Sequence, residues 1–204
     1  MTLLTDHEAQ AVADAITQIE RDTDAELVTV IARQADEYYY IPTLWAALGA
    51  LLVPAITMFT PFWLDSVDVL IAQILAFGCL ALLFRIPALL RHLIPANVKR
   101  QRAAHLARSM FLENNLHHTQ GETGVLIFIS ELEHYVEILA DRGINDAVAE
   151  GVWDQIVQDF VLSLKQGNRQ AAIDTMVNNC GTLLKQHVPA THSKNELPNH
   201  LILL

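Results

Sequence analysis

Two long apolar runs stand in the first half of the chain, and the sequence on either side of them alternates with the periods of soluble secondary structure. From 41 to 64 no charged residue occurs. A helix rising about 1.5 Å per residue crosses a hydrocarbon layer of about 30 Å in about 20 residues, so this run predicts a first membrane span over 41–64. Asp65, Ser66 and Asp68 form a polar break. The next apolar run covers 69–84 and resumes past Arg85 to Leu90. It predicts a second span over about 67–90, with the Arg85 stem reaching toward the headgroups. Tyr38, Tyr39 and Tyr40 on one side and Trp63 on the other suit interfacial aromatic belts. Pro54, in the middle of the first run, removes a backbone donor and predicts a kink. Neither run carries an ionisable group at mid-depth, which favours an anchor over a transport path.

The flanks read as one α/β fold cut in two. Thr5 and Glu8 have the spacing of a capping box, and Val12, Ile16 and Ile19 follow at helical intervals, predicting a first helix to about Glu20. After the polar turn Asp22-Thr23-Asp24, Glu26–Ala32 is a β-branched run of strand length. Beyond the spans, 97–116 has helical spacing, 124–130 is a nearly continuous apolar strand, and 134–140 resumes after a tight turn, predicting a hairpin. A helix capped by Asn145 is expected to run unbroken to Lys165, on a stripe of Val148, Val152, Ile156 and Phe160. Gly167-Asn168 ends it and starts another helix. The order implies a small α/β sandwich: a mixed sheet flanked by helices, with strands 26–32 and 124–130 parallel through a crossover. The expected division is 1–38 and 97–187 as two parts of one domain, 39–96 as a transmembrane hairpin inserted into it, and 188–204 as a flexible tail. The terminal Leu201-Ile202-Leu203-Leu204 either docks into a groove or frays.

Charge sharpens this picture. The formal net charge is −10, yet the segment 85–108 holds Arg85, Arg91, Lys99, Arg100, Arg102 and Arg108 and no acid. An acidic body repels nucleic-acid backbones, and a basic segment beside apolar sequence suits the anionic lipid bilayer. The loop between the spans has aspartates and no cation, so the positive-inside pattern predicts both termini in the cytoplasm and a multi-pass protein of the cell inner membrane. The opening MTLLTDHEAQ lacks the cationic start and apolar core of a secretory signal. Cys79 and Cys180 fall in a greasy run and a soluble helix, with no shared place for a disulfide.

The segments Thr23-Asp24-Ala25-Glu26-Leu27-Val28-Thr29-Val30, Gly124-Val125-Leu126-Ile127-Phe128-Ile129 and Val136-Glu137-Ile138-Leu139-Ala140-Asp141-Arg142-Gly143-Ile144 give the chain its likeness to a known family. In their order and spacing it resembles the TPM domain family over most of residues 3–187. Asp36-Glu37-Tyr38 is similar to the bacterial branch with two transmembrane helices inside the domain. The resemblance implies the sandwich fold, and it implies a divided set of activities: acid phosphatase for some members, calcium binding for others, accessory roles in membrane complexes elsewhere.

Asp141, Arg142 and Gly143 stand where a strand ends and a helix starts, a common place for ligand sites. Asp141 suits a hard cation such as calcium or magnesium, and Arg142 a phosphate or carboxylate, against the plainer roles of turn cap and ion pair. Glu26 and Asp24, with Asp22, approach Asp141 if their strands are neighbours; otherwise they cap a turn. His117, His118 and His134 flank the strand 124–130 and read as loop histidines or as transition-metal ligands. Trp153 reads as core or as a docking face. No Cys-x5-Arg loop, Asp-x-Asp phosphotransfer motif or phosphate-cradling glycine run is present, and neither Ser130 nor Ser163 has an adjacent base in sequence, so no catalytic residue is assigned. The expected function is a binding or accessory module for a membrane protein partner, with a homo-oligomer compatible; a membrane-bound phosphatase is the alternative.

Overall fold

A computed structural model describes residues 4–59, 65–119, 121–167, 169–191 and 201–204. Pro61, Trp63, the expected end of the first span at Leu64, Asn168 and most of the expected tail lie outside the described residues. The chain forms two compact units: Met1–Ala35 with Gln101–Leu204, and Asp36–Arg100.

The first unit is built on a four-stranded sheet of order β3-β2-β1-β4. Strand β1 (Glu26–Ala32) pairs in parallel with β2 (Gly124–Ser130), in the register Glu26↔Gly124 to Ala32↔Ser130. Strand β3 (Tyr135–Ala140) runs antiparallel on the outer side of β2. All seven residues of β1 and all seven of β2 are buried, which accounts for their mostly apolar composition, interrupted only by Glu26, Thr29 and Ser130: both faces of a central strand are covered. On one face Leu27, Ile31, Val125 and Ile127 meet helices α1 (Asp6–Glu20), α8 (Val152–Lys165) and α9 (Arg169–His187). On the other face Val28, Val30, Leu126 and Phe128 meet Ala103 and Ala107 of α6 (Ala96–Glu113). The result is a mixed-sheet sandwich. The Thr5–Glu8 capping box opens α1 as expected, with the Thr5 N–H donating to Glu8 Oε2 at 2.7 Å.

Two readings of this unit are corrected. The segment Leu201–Leu203 is neither loose nor frayed: it forms β4, parallel to β1 in the register Thr29↔Leu201 to Ile31↔Leu203. A free edge of β1 would leave donors and acceptors unpaired, and three apolar residues suffice to cover half of it. The lower half is covered differently, since the Leu27 N–H donates to Glu20 Oε1 at 3.1 Å. The helix expected from Asn145 to Lys165 is broken. Asp141 caps a single turn, α7 (Arg142–Asn145), and the chain re-enters a helix only after Gly151, which sits at φ +85. The apolar stripe spans the break because Val148, outside either helix, still packs in the core.

In the second unit the first apolar run makes α2 (Tyr40–Leu51) and α3 (Val53–Thr57). They are separate helices because Pro54, at the start of α3, cannot donate into the preceding turn. The second run makes α4 (Ser66–Leu83), capped by Asp65. It does not continue to Leu90: Pro87 forces Ile86 into extended backbone and opens a separate helix, α5 (Pro87–Leu93). Helices α2 and α4 approach closely at Gly49, where a Cβ would lie 2.7 Å from Leu80 Cδ1. Tyr40–Thr57 has mean hydropathy 1.6 with 22% of its residues buried, and Ser66–Leu83 has 2.2 with 0% buried. A core helix of a soluble protein combines such hydropathy with burial. These two expose their apolar side chains, which supports association with a membrane.

Candidate functional site

Glu26 and Asp141 stand at one end of the sheet, where the parallel strands begin and β3 ends. Glu26 is in register with Gly124, and the Asp141 N–H donates to the Gly124 carbonyl at 2.8 Å. Glu26 and Asp141 thus flank Gly124 from neighbouring strands, about 10 Å apart by strand spacing. Between them the chain turn at Leu116–His118 sits against Gly124 so tightly that a Cβ there would lie 2.2 Å from the Leu116 carbonyl oxygen.

Asp22, Asp24 and Asp141 have structural tasks, and Glu26 is buried at the start of β1. Both Asp24 carboxylate oxygens accept from the Thr191 N–H at 3.0 Å, and the Thr191 hydroxyl donates to the same carboxylate. Asp22 pairs with Lys185 at 2.7 Å. These contacts pin the chain after α9 beneath β1. Asp141 Oδ1 accepts from the Arg142 N–H at 2.8 Å as a cap, while its Oδ2 is enclosed with no hydrogen-bond partner among the described residues. Arg142 is exposed and lies 3.6 Å from Asp146. Calcium takes six to eight oxygen ligands, roughly, at about 2.3–2.6 Å, and magnesium a strict octahedron. Among the described residues no three His, Cys, Asp or Glu side chains are placed to hold a metal ion. As arranged, Asp22, Asp24, Glu26 and Asp141 do not fit either cation. The histidines do not converge either: His117 and His118 stack at 4.0 Å, but His134 is in the β2–β3 turn at the other end of the sheet. Trp153 packs partly against the core and donates its indole N–H to Asn145 Oδ1 at 3.2 Å.

Beside these acids, Glu20 is the group whose chemistry is most altered. Burial, with a smaller contribution from the charge of Glu26, pushes its carboxyl up to about 8, against the opposing hydrogen bond from the Leu27 N–H. In α9, burial pushes the Cys180 thiol up to about 12, so this cysteine is inert packing.

The opposite end of the sheet holds what sequence reasoning missed. At the carboxyl ends of β1 and β2 a half-open cleft of about 730 Å³ is walled by Ile31, Ile129, Val136, Phe160, Leu164 and Ile173. Its polar lining includes Glu131, His134, Lys165 and Arg169. Arg169 Nη1 lies 2.9 Å from Glu131 Oε1. Beside it Ser130, 2% exposed, donates its hydroxyl to Glu133, 8% exposed. Glu133 Oε1 also accepts from the Ala35 N–H at 3.1 Å. The acid that meets Ser130 is only three residues further on, brought back to it by the tight turn after β2. The pair nevertheless serves as a clamp between the β2–β3 turn and the exit of β1, since both groups are buried.

Residues 90–183 match the family model TPM phosphatase, described as the TPM domain. No curated protein matches the chain. Among solved structures, the NMR structure of BA42 protein from the psychrophilic bacterium Bizionia argentinensis is similar, with a TM-score of 0.60 and 19% identity. The alignment covers 98% of this chain and 95% of that one, and at this identity the likeness concerns the fold alone. The family match supports homology with TPM domains over residues 90–183. The apolar helices 40–57 and 66–83 precede the matched stretch.

Proposed function

We propose that the chain is a bacterial TPM-domain protein anchored in the inner membrane by two spans that interrupt its domain, with both termini on the cytoplasmic face. Its sandwich works there as a binding or accessory module for a membrane protein complex. One observation carries the anchor: in Ser66–Leu83, with mean hydropathy 2.2, no residue is buried. The orientation rests on the cations at 85–108 against the aspartates at 65 and 68. The module reading draws on Asp141 serving as a cap, on Asp22 and Asp24 serving as ties, and on the buried Ser130–Glu133 clamp, none of which forms an activated nucleophile or a paired-metal centre.

The test uses full-length protein purified from crosslinked membranes. The expected result is reproducible recovery of one integral membrane partner, together with hydrolysis of a generic phosphate ester no faster than the blank when magnesium or calcium is added. Turnover abolished by Asp141→Asn would instead establish the phosphatase.

A further inference from the structure

The cleft at the carboxyl ends of β1 and β2 is left unused by the anchor and by the acids at the other end of the sheet. Three of its properties point to one class of ligand. At 730 Å³ it falls within the range of small-molecule sites, about 300–1,000 Å³. It lies beyond the carboxyl ends of neighbouring parallel strands, where open α/β sheets hold ligands. Its walls are apolar while its charged lining is Lys165 and Arg169 against the single acid Glu131, a local positive excess in a chain of net charge −10. Lys165 closes α8 and Arg169 opens α9, on either side of the turn at Gly167, which has φ +92. The ion pair with Glu131 engages Arg169 through Nη1 and holds its guanidinium, a group of five donors, at the mouth.

We propose that this cleft binds an amphipathic anion, a single acyl chain ending in a carboxylate or phosphate. The chain lies against Ile129, Val136, Phe160 and Ile173, and the head meets Lys165 and Arg169. Burying the acyl methylenes against these walls removes apolar surface from water. The charged head takes hydrogen bonds that a neutral head cannot match. The site belongs to the soluble unit and goes beyond the anchor reading. It draws on that reading only for supply, since a bilayer is a source of acyl chains.

The experiment takes full-length protein in phosphatidylcholine nanodiscs with a 16-carbon fatty acid carrying a mid-chain photoreactive diazirine, and maps the labelled peptides by mass spectrometry. Labelling is expected in peptides covering 129–136 and 160–173. Excess palmitate or hexadecyl phosphate should suppress it, the better competitor identifying the head, while hexadecanol and inorganic phosphate should not. Lys165→Glu combined with Arg169→Gln, both at exposed positions, should lower labelling there at least fivefold with the melting temperature unchanged. Label confined to 40–57 and 66–83 would remove the site while leaving the anchor intact. Equal competition by hexadecanol, or full labelling of the double variant, would also overturn the proposal.

Discussion

Replacing Gly124 with alanine should destabilise the protein by about 3 kcal/mol or more, or prevent folding. The added Cβ would lie 2.2 Å from the Leu116 carbonyl oxygen, 2.8 Å from its carbonyl carbon and 3.0 Å from its Cα. All three are backbone atoms, so no side-chain rotation relieves the clash. Neither partner is free to retreat. Leu116 is fully buried, and Gly124 is held between Glu26 in the parallel register and the Asp141 N–H at 2.8 Å. Moving the turn would open the α6 face of the core around Leu126 and Phe128. Gly78→Ala is the matched control, since a Cβ at Gly78 meets nothing within 4 Å. Thermal unfolding of both variants in mild detergent decides the matter: a Gly124→Ala protein within about 1 kcal/mol of wild type would mean that the turn does not rest on this strand.

Stability should also fall as pH rises from about 4.5 to about 8, through Glu20. Its carboxyl titrates at the ordinary 4.5 when unfolded, and burial pushes it up to about 8 when folded. Between these values the folded state holds a proton that the unfolded state has released. The contribution is complete below 4.5 and is lost progressively as pH approaches 8. A shift of this size corresponds to roughly 5 kcal/mol, which partial exposure and solvent relaxation reduce to roughly 2 kcal/mol. Glu20→Gln keeps an oxygen to accept the Leu27 N–H and cannot ionise, so it should flatten this part of the pH profile and be the more stable protein at pH 8.5. A variant with the wild-type slope, or one less stable at every pH, would show that Glu20 is not the titrating group.

The elements legible in sequence were those whose evidence is local. Seven buried positions in a row made β1 and β2 unmistakable as covered strands, and the Thr5–Glu8 spacing announced α1. What escaped depends on partners distant in the chain. Leu201–Leu203 is too short to declare itself a strand and becomes one only against the β1 edge. The stripe from Val148 to Phe160 hid the break at Gly151, because a residue in a loop can fill the same core position as one in a helix. Whether Asp24 and Glu26 approach Asp141 could not be judged without the strand order, which puts β2 between Glu26 and Asp141. The same order decides which end carries the carboxyl termini of the parallel pair, and hence where the cleft lies.

The central claim is that two apolar helices carry one folded sandwich on a single face of a membrane. Labelling with a membrane-impermeant thiol reagent tests it most directly. Cys79 is replaced by serine, whereas the buried Cys180, its thiol pushed up to about 12, stays as a silent internal reference. Single cysteines are introduced at the exposed Ser66, the first residue of α4, and at the exposed Gln166 in the sandwich. In intact cells Ser66→Cys should react and Gln166→Cys should not, with Gln166→Cys becoming reactive once the inner membrane is permeabilised. Equal reactivity of both positions in intact cells, or a protein released from membranes by alkaline carbonate, would contradict the account.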